Sequence, residues 1–163
     1  MINYPQKLMV ALCTIILMYS CTSEEIFTEP DNVATEAIYS HPIESEILTL
    51  INNHRENLGL NQLKKLEVIK TQTQEHTLYM VDKNELSHDF FYKRKEYLVE
   101  NANASSVSEN VGYGYTSASS LVNAWLQSEG HRKNIEGDFT HFNITAKYNE
   151  NGDWFYTNIF IKN

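Results

Sequence analysis

WFYTNIFI, residues 154–161, carries apolar side chains at both odd and even positions. A strand built from it has two apolar faces and needs cover on each. HFNITAKY (141–148) is a second strand-like run, and NENGD (149–153) between them holds an Asn-Gly pair that favours a hairpin. Further upstream, Val111, Tyr113 and Tyr115 alternate with glycines in ENVGYGY (109–115), which predicts a short strand with close backbone packing.

The rest of the chain reads as helix. Ile43, Ile47, Leu50, Ile51 and Leu58 keep helical spacing and Gly59 ends the run. A second helix is expected from about Lys64 to Lys83, with Leu66, Ile69, Thr73, His76 and Met80 on one face. A third follows His88 through FFYKRKEYLVEN, and Asn101 to Ser108 reads as a polar loop. TSASSLVNAWLQ opens on a serine or threonine cap and turns Leu121, Val122 and Trp125 inward. Helices first and an antiparallel sheet last define an α+β domain in layers. No internal repeat is visible.

Composition bounds the function. The chain has 163 residues, 42% of them hydrophobic, and a formal net charge of -8, which suits one globular domain with appended sequence. Its acidity excludes a nucleic-acid partner, because nothing in it tracks phosphates. The basic run YKRKEY (92–97) reads as a solvated helix face.

At the N-terminus, LMVALCTIILMYS (8–20) follows Lys7 as 13 residues without charge. It is shorter than the roughly 20 residues that span a bilayer and fits the apolar region of an export signal. LMYSC resembles the bacterial lipobox, which implies cleavage after residue 20 and lipid on Cys21; an ordinary export signal with an incidental cysteine is the alternative. Cys13 lies inside the signal, so Cys21 would be the only thiol left and the domain is held by its core alone. The organisation expected is therefore a signal at 1–20, an acidic flexible tether at 21–42 and a domain at 43–163. Glu24-Glu25 resembles a surface-export signal of Bacteroidetes lipoproteins, so the expected address is the outer membrane or cell surface, through a lipid anchor.

Six histidines compete for attention. His41 lies in the tether and reads as solvated, and His54 beside Arg55 as structural or partly exposed. His76 shares an apolar face with Met80, the position of a satisfied core residue, and His141 opens a strand at the surface. His88, between LS and DFF, and His131, after Glu129-Gly130, sit at breaks where a ring can face a cavity. Glu109 opens the glycine-rich strand. Two imidazoles and a carboxylate can bind a divalent metal with a position open for water, or can share a proton. Their sequence spacing alone does not unite them.

SHDFF, SENVGYGY, NAWLQSEGHRKNI and the closing hairpin, in that order, resemble the CAP superfamily (cysteine-rich secretory proteins, antigen 5, pathogenesis-related 1), also called SCP domains. LINNHRENLGL looks like its first helix and EHTLYM like its second. The resemblance covers residues 43–163 and implies a three-layer α-β-α sandwich with a central antiparallel sheet. It also implies a cavity lined by two histidines and two glutamates. His88 matches the first histidine, Glu109 the glutamate of the Glu-Asn motif and His131 the second histidine. The second glutamate falls on Ser128, so the tetrad is at most a triad; Glu129 is adjacent but need not point inward. The family's many disulfides are missing.

Three functional readings follow. The preferred one is a cell-surface binding module in which His88, His131 and Glu109 hold a divalent metal, zinc first, beside an unidentified extracellular ligand (lipid, peptide or protein). The second is a metal-assisted hydrolase with Glu109 as catalytic general base, or with a histidine activating Ser87 or Ser128; no nucleophile elbow and no HExxH motif is present. The third is lipid or sterol binding in an aromatic groove, which the resemblance also implies.

Overall fold

The computed structural model describes residues 41–163. The expected export signal, the expected lipid site at Cys21 and all but the last two residues of the expected tether lie outside the described residues. Five helices and four strands follow in the order α1 (Pro42–Asn57), β1 (Lys64–Lys65), α2 (Glu67–Lys83), α3 (Phe91–Ala102), β2 (Ser106–Tyr113), α4 (Ala118–Gln127), α5 (Glu129–Glu136), β3 (His141–Tyr148) and β4 (Trp154–Lys162).

The two-faced strand organises the whole. β4 lies inside a sheet of order β1-β3-β4-β2 and runs antiparallel to both β3 and β2. Tyr156 and Phe160 on one face pack into a cluster with Ile47 and Ile51 of α1, Leu121 and Trp125 of α4 and Ile135 of α5. On the other face, Ile159 and Ile161 meet Ile69 of α2 with Leu98 and Ala102 of α3, while Phe155 meets Met80. Because side chains alternate along a strand, one segment feeds two cores, and the result is an α-β-α sandwich.

Local chemistry sets the boundaries. Pro42 occupies the first turn of α1, where its missing N–H costs nothing, and Gly59 at φ 71° stops the helix in the left-handed region. Ser117 caps α4 by accepting from Ser120 N at 3.2 Å. In the hairpin, Asn149 Oδ1 accepts from the backbone of Asn151 and Asp153 at 3.0 and 2.8 Å, and Gly152 supplies a φ of 84°.

Four expectations shift. Lys64 does not begin a helix. The amide of Asn52 brackets Leu63 at both N and O, Lys64 N donates to Thr140 O, and Lys64–Lys65 become a short strand parallel to β3. β2 starts at Ser106 rather than Glu109, because Ser106 to Ser108 pair with Lys162 to Phe160 of β4. His41 is not free tether: exposed, it caps α1 and sets its ring edge-on to Trp154 at 4.8 Å. The run YKRKEY is a solvated face only in part, since Arg94 within it is buried.

Gly112 lets β2 and α4 approach. A Cβ there would sit 2.5 Å from Leu121 Cδ1, with Trp125 and Tyr156 next at 3.6 Å. We expect Gly112→Ala to lower unfolding free energy by about 1–3 kcal/mol through overpacking, read as a reduced urea midpoint at unchanged m-value.

Candidate functional site

Glu109 is the polar centre of the α2–α3 side of the sheet. Its side chain, only 2% exposed, sits among three cations or potential cations. Arg94 donates from Nε to Oε2 and from Nη2 to Oε1, both at 2.8 Å, a bidentate clamp. The His88 ring donates from Nδ1 to Oε1 at 2.8 Å, and His76 Nε2 stands 3.9 Å from the same oxygen. Burial, the largest influence, pushes the Glu109 carboxyl up; the hydrogen bonds from His88 and Arg94 and the guanidinium charge outweigh it and hold the group below its ordinary range.

Each partner is fixed in turn. Arg94 also donates from Nη1 to Asp89 O at 2.7 Å, tying α3 to the His88 loop. His76, buried on α2, donates from Nε2 to Ser87 O at 2.8 Å, which sets its tautomer. Desolvation keeps His76 below the usual imidazole pKa, against the pull of Glu109 and with the push of Arg94. Its expected role as a satisfied core histidine therefore holds, although it also touches the site.

His131 arrives from the opposite layer. β2 is an edge strand, and α5 dresses its free side: Asn134 Nδ2 donates to Glu109 O and to Asn110 Oδ1, while Asn110 Nδ2 donates to His131 O at 3.1 Å. Those bonds hold the backbone of His131, which is half-buried with its ring centroid 6.4 Å from that of Trp125. Desolvation first, and His88 second, lower its pKa and favour the neutral ring. So the structure joins His88 to Glu109 directly, and α5 brings His131 to the edge of the same strand through its carbonyl. Ser128, at the position of the missing glutamate, is the junction between α4 and α5. Glu129 points to solvent, where it pairs with Lys133 at 2.7 Å.

The other histidines stay outside. His54 pairs with Glu136 at 2.9 Å, and His141 Nδ1 lies 3.0 Å from Thr140 Oγ1. Arg94 is the functional residue that sequence reasoning missed. Its signal was position, since it shares a helical stripe with Leu98 and Ala102, the buried side of α3.

The donor set decides how a cation would fit. Both Glu109 oxygens are occupied by Arg94, so the carboxylate does not suit the part of a third ligand. Among the described residues no three His, Cys, Asp or Glu side chains form a metal-binding group. The imidazoles have the donor chemistry that a cation such as zinc takes. With Nδ1 on Glu109, His88 keeps Nε2 for a cation, and its side chain is 54% exposed. Were His88 to ligate a cation, Glu109 would be the outer partner that orients its ring.

Residues 48–160 match the model of the cysteine-rich secretory protein family, CAP. The chain belongs to that family. It is 31% identical over 124 residues to the uncharacterized protein YkwD of Bacillus subtilis, covering 71% of this chain and 47% of that one. It is equally identical over 123 residues to the uncharacterized membrane protein YlbC of the same organism, covering 73% and 34%. It thus spans about half or less of the curated relatives it matches. Among solved structures, an extracellular SCP-domain protein of Bacillus anthracis superposes with a TM-score of 0.62 at 26% identity, over 74% of this chain and 40% of that one. An outer surface protein of Borrelia burgdorferi shares the fold, with a TM-score of 0.66 at 18% identity over 72% and 90%.

Two outcomes follow from the clamp. Arg94→Leu strands a buried carboxylate and should cost about 3–5 kcal/mol in urea unfolding, with much of it recovered in Arg94→Leu/Glu109→Leu. The pH dependence has a definite sign. His76 and His131 have folded pKa values below 6.5, so the unfolded chain takes up protons first and stability falls as pH drops below about that value. Glu109, depressed below 4.5, adds a second loss as pH falls through its folded pKa. Urea midpoints from pH 8 to pH 3, with His76→Gln flattening the upper stage, check both.

Proposed function

We propose that this protein is an exported binding module held at the cell surface by lipid on Cys21, with its recognition site at the His88–His131 edge of β2. One observation carries the reading. A half-exposed imidazole is held rigid by a buried carboxylate that is itself locked by Arg94, and a second, half-buried imidazole reaches the edge of the same strand from α5. Such preorganisation serves binding, because the His88 ring keeps its orientation without spending ligand affinity on ordering.

His88 through Nε2 and His131 would hold a divalent cation, zinc first by its preference for imidazole. Bound there, the cation would supply positive charge and open coordination positions to an incoming ligand. Two protein ligands imply modest affinity. What supports binding over hydrolysis is the state of Glu109: a general base needs access to its substrate and a pKa near the working pH, whereas this side chain is nearly dry, accepts three hydrogen bonds and has a lowered pKa.

Export is supported by the LMYSC run and by the relatives, which include an extracellular protein and an outer surface protein. No described helix is long and apolar enough to cross a membrane. Lipid attachment and the outer-membrane address rest on the N-terminal residues alone.

Calorimetric titration of the full chain with zinc at pH 7.5 tests the site. Saturable binding is expected in the wild type and its loss in His88→Ala/His131→Ala, with circular dichroism unchanged. Absence of binding in the wild type, or equal binding in the variant, would overturn the metal reading.

A further inference from the structure

A second feature lies on the outer side of the same helical layer. α2 and α3 diverge enough to leave a groove of about 410 Å³ between them. Its walls are two helical stripes. Gln72, Glu75 and Tyr79 line it from α2, at the spacing that places residues on one helix face, and Phe90, Lys93 and Tyr97 line it from the start and first turns of α3. His76 and Arg94 complete the lining, and both turn their polar atoms toward Ser87, Asp89 and Glu109.

The aromatic groups are presented rather than buried. Phe90 is 49% and Tyr97 38% exposed. Phe90 has φ 58° and ψ 20°, the left-handed region that a bulky side chain rarely enters. Its ring sets its edge to Tyr79 at 5.7 Å, and Tyr79 is fixed by its hydroxyl on Asp89 at 2.7 Å and by its stack on His76. A backbone strain that holds an aromatic ring at the mouth of a groove is the kind found at ligand clamps.

The polar lining narrows the ligand class. Glu75 accepts, Lys93 donates and the Gln72 amide does both. Glu75 accepts from Gln72 Nε2 at 3.4 Å and Lys93 Nζ lies 5.1 Å from the centroid of the Phe90 ring, but among the described residues neither is in an ion pair, so the groove offers opposite charges that balance. An anion would meet Glu75 and a cation would meet Lys93 and Arg94. A purely apolar chain would strip water from all of them. A neutral molecule that is rich in hydroxyls on its rim and carries C–H bonds on its faces satisfies both kinds of wall. The slightly positive C–H faces of a pyranose ring suit the negative face of Tyr97 and the face of Phe90 that Lys93 does not cover, and the volume falls in the range of small-ligand sites.

We propose that the groove between α2 and α3 binds neutral carbohydrate, with Phe90 and Tyr97 as stacking platforms and Gln72, Glu75 and Lys93 as hydroxyl partners. The site is separate from the imidazole pair and needs no metal.

Calorimetry of the full chain with cellotetraose, maltotetraose and tetra-N-acetylchitotetraose, in the presence of EDTA, tests it, with a heparin-derived tetrasaccharide as the anionic control. At least one neutral probe should bind saturably. Its affinity should fall tenfold or more in Phe90→Gly and in Tyr97→Ala, and should be unchanged in His88→Ala/His131→Ala. Glycine accepts the positive φ at residue 90, so thermal unfolding of Phe90→Gly should not move down, which separates a lost platform from a lost fold; Tyr97→Ala is the independent check. No saturable binding of any neutral probe, undiminished binding in Phe90→Gly/Tyr97→Ala, or tighter binding of the anionic control would each overturn the proposal.

Discussion

An ionised carboxylate can remain inside a protein only if its neighbours replace the water it has lost. Glu109 imposes that requirement on everything on the α2–α3 side of the sheet. Arg94 has to face inward, which orients α3 about its axis. Asp89 has to lend its carbonyl to the same guanidinium, which draws the loop after α2 against the start of α3. His88 is then carried to the second lone pair of Oε1, and its far nitrogen is left at the surface. The exposed imidazole is thus the outermost member of a set whose innermost member is nearly dry.

The sheet edge adds the other half. An edge strand presents unpaired backbone groups and needs a cover. Here the cover consists of side chains from α4 and α5: the Trp125 indole donates to Val111 O at 2.9 Å, and Asn134 to Glu109 O at 3.1 Å. Protecting the edge therefore positions His131, because the Asn110 amide that bonds Asn134 also holds the His131 carbonyl. Two helical layers that pack on opposite faces meet around β2. That is the geometric reason a site can draw residues from both.

Much of the architecture was legible because it follows from periodicity. The doubled apolar character of WFYTNIFI marked a covered strand, the Asn-Gly pair its hairpin, Gly59 the end of α1 and Ser117 the start of α4. Features that depend on distant partners were not legible. Lys64–Lys65 extend only because Asn52 and Thr140 hold them there, and Ser106 to Ser108 only because β4 runs alongside. Of the site, His88, Glu109 and His131 could be named from motif resemblance. The occupation of Glu109 by Arg94 could not, since a basic run with aromatic neighbours looks the same whether one arginine points in or all point out.

The division has a physical basis. The sequence by itself determined the class of fold, the family and the residues with chemistry to offer, because alternation, helical spacing and turn residues act over a few positions. Tertiary structure alone decided what those residues are. It clamped Glu109 between Arg94 and His88, seated His131 on α5 against the edge of β2, and opened a groove between α2 and α3. A carboxylate's role depends on which charges lie within a few ångströms of it, and in this chain those charges come from segments that only folding brings together.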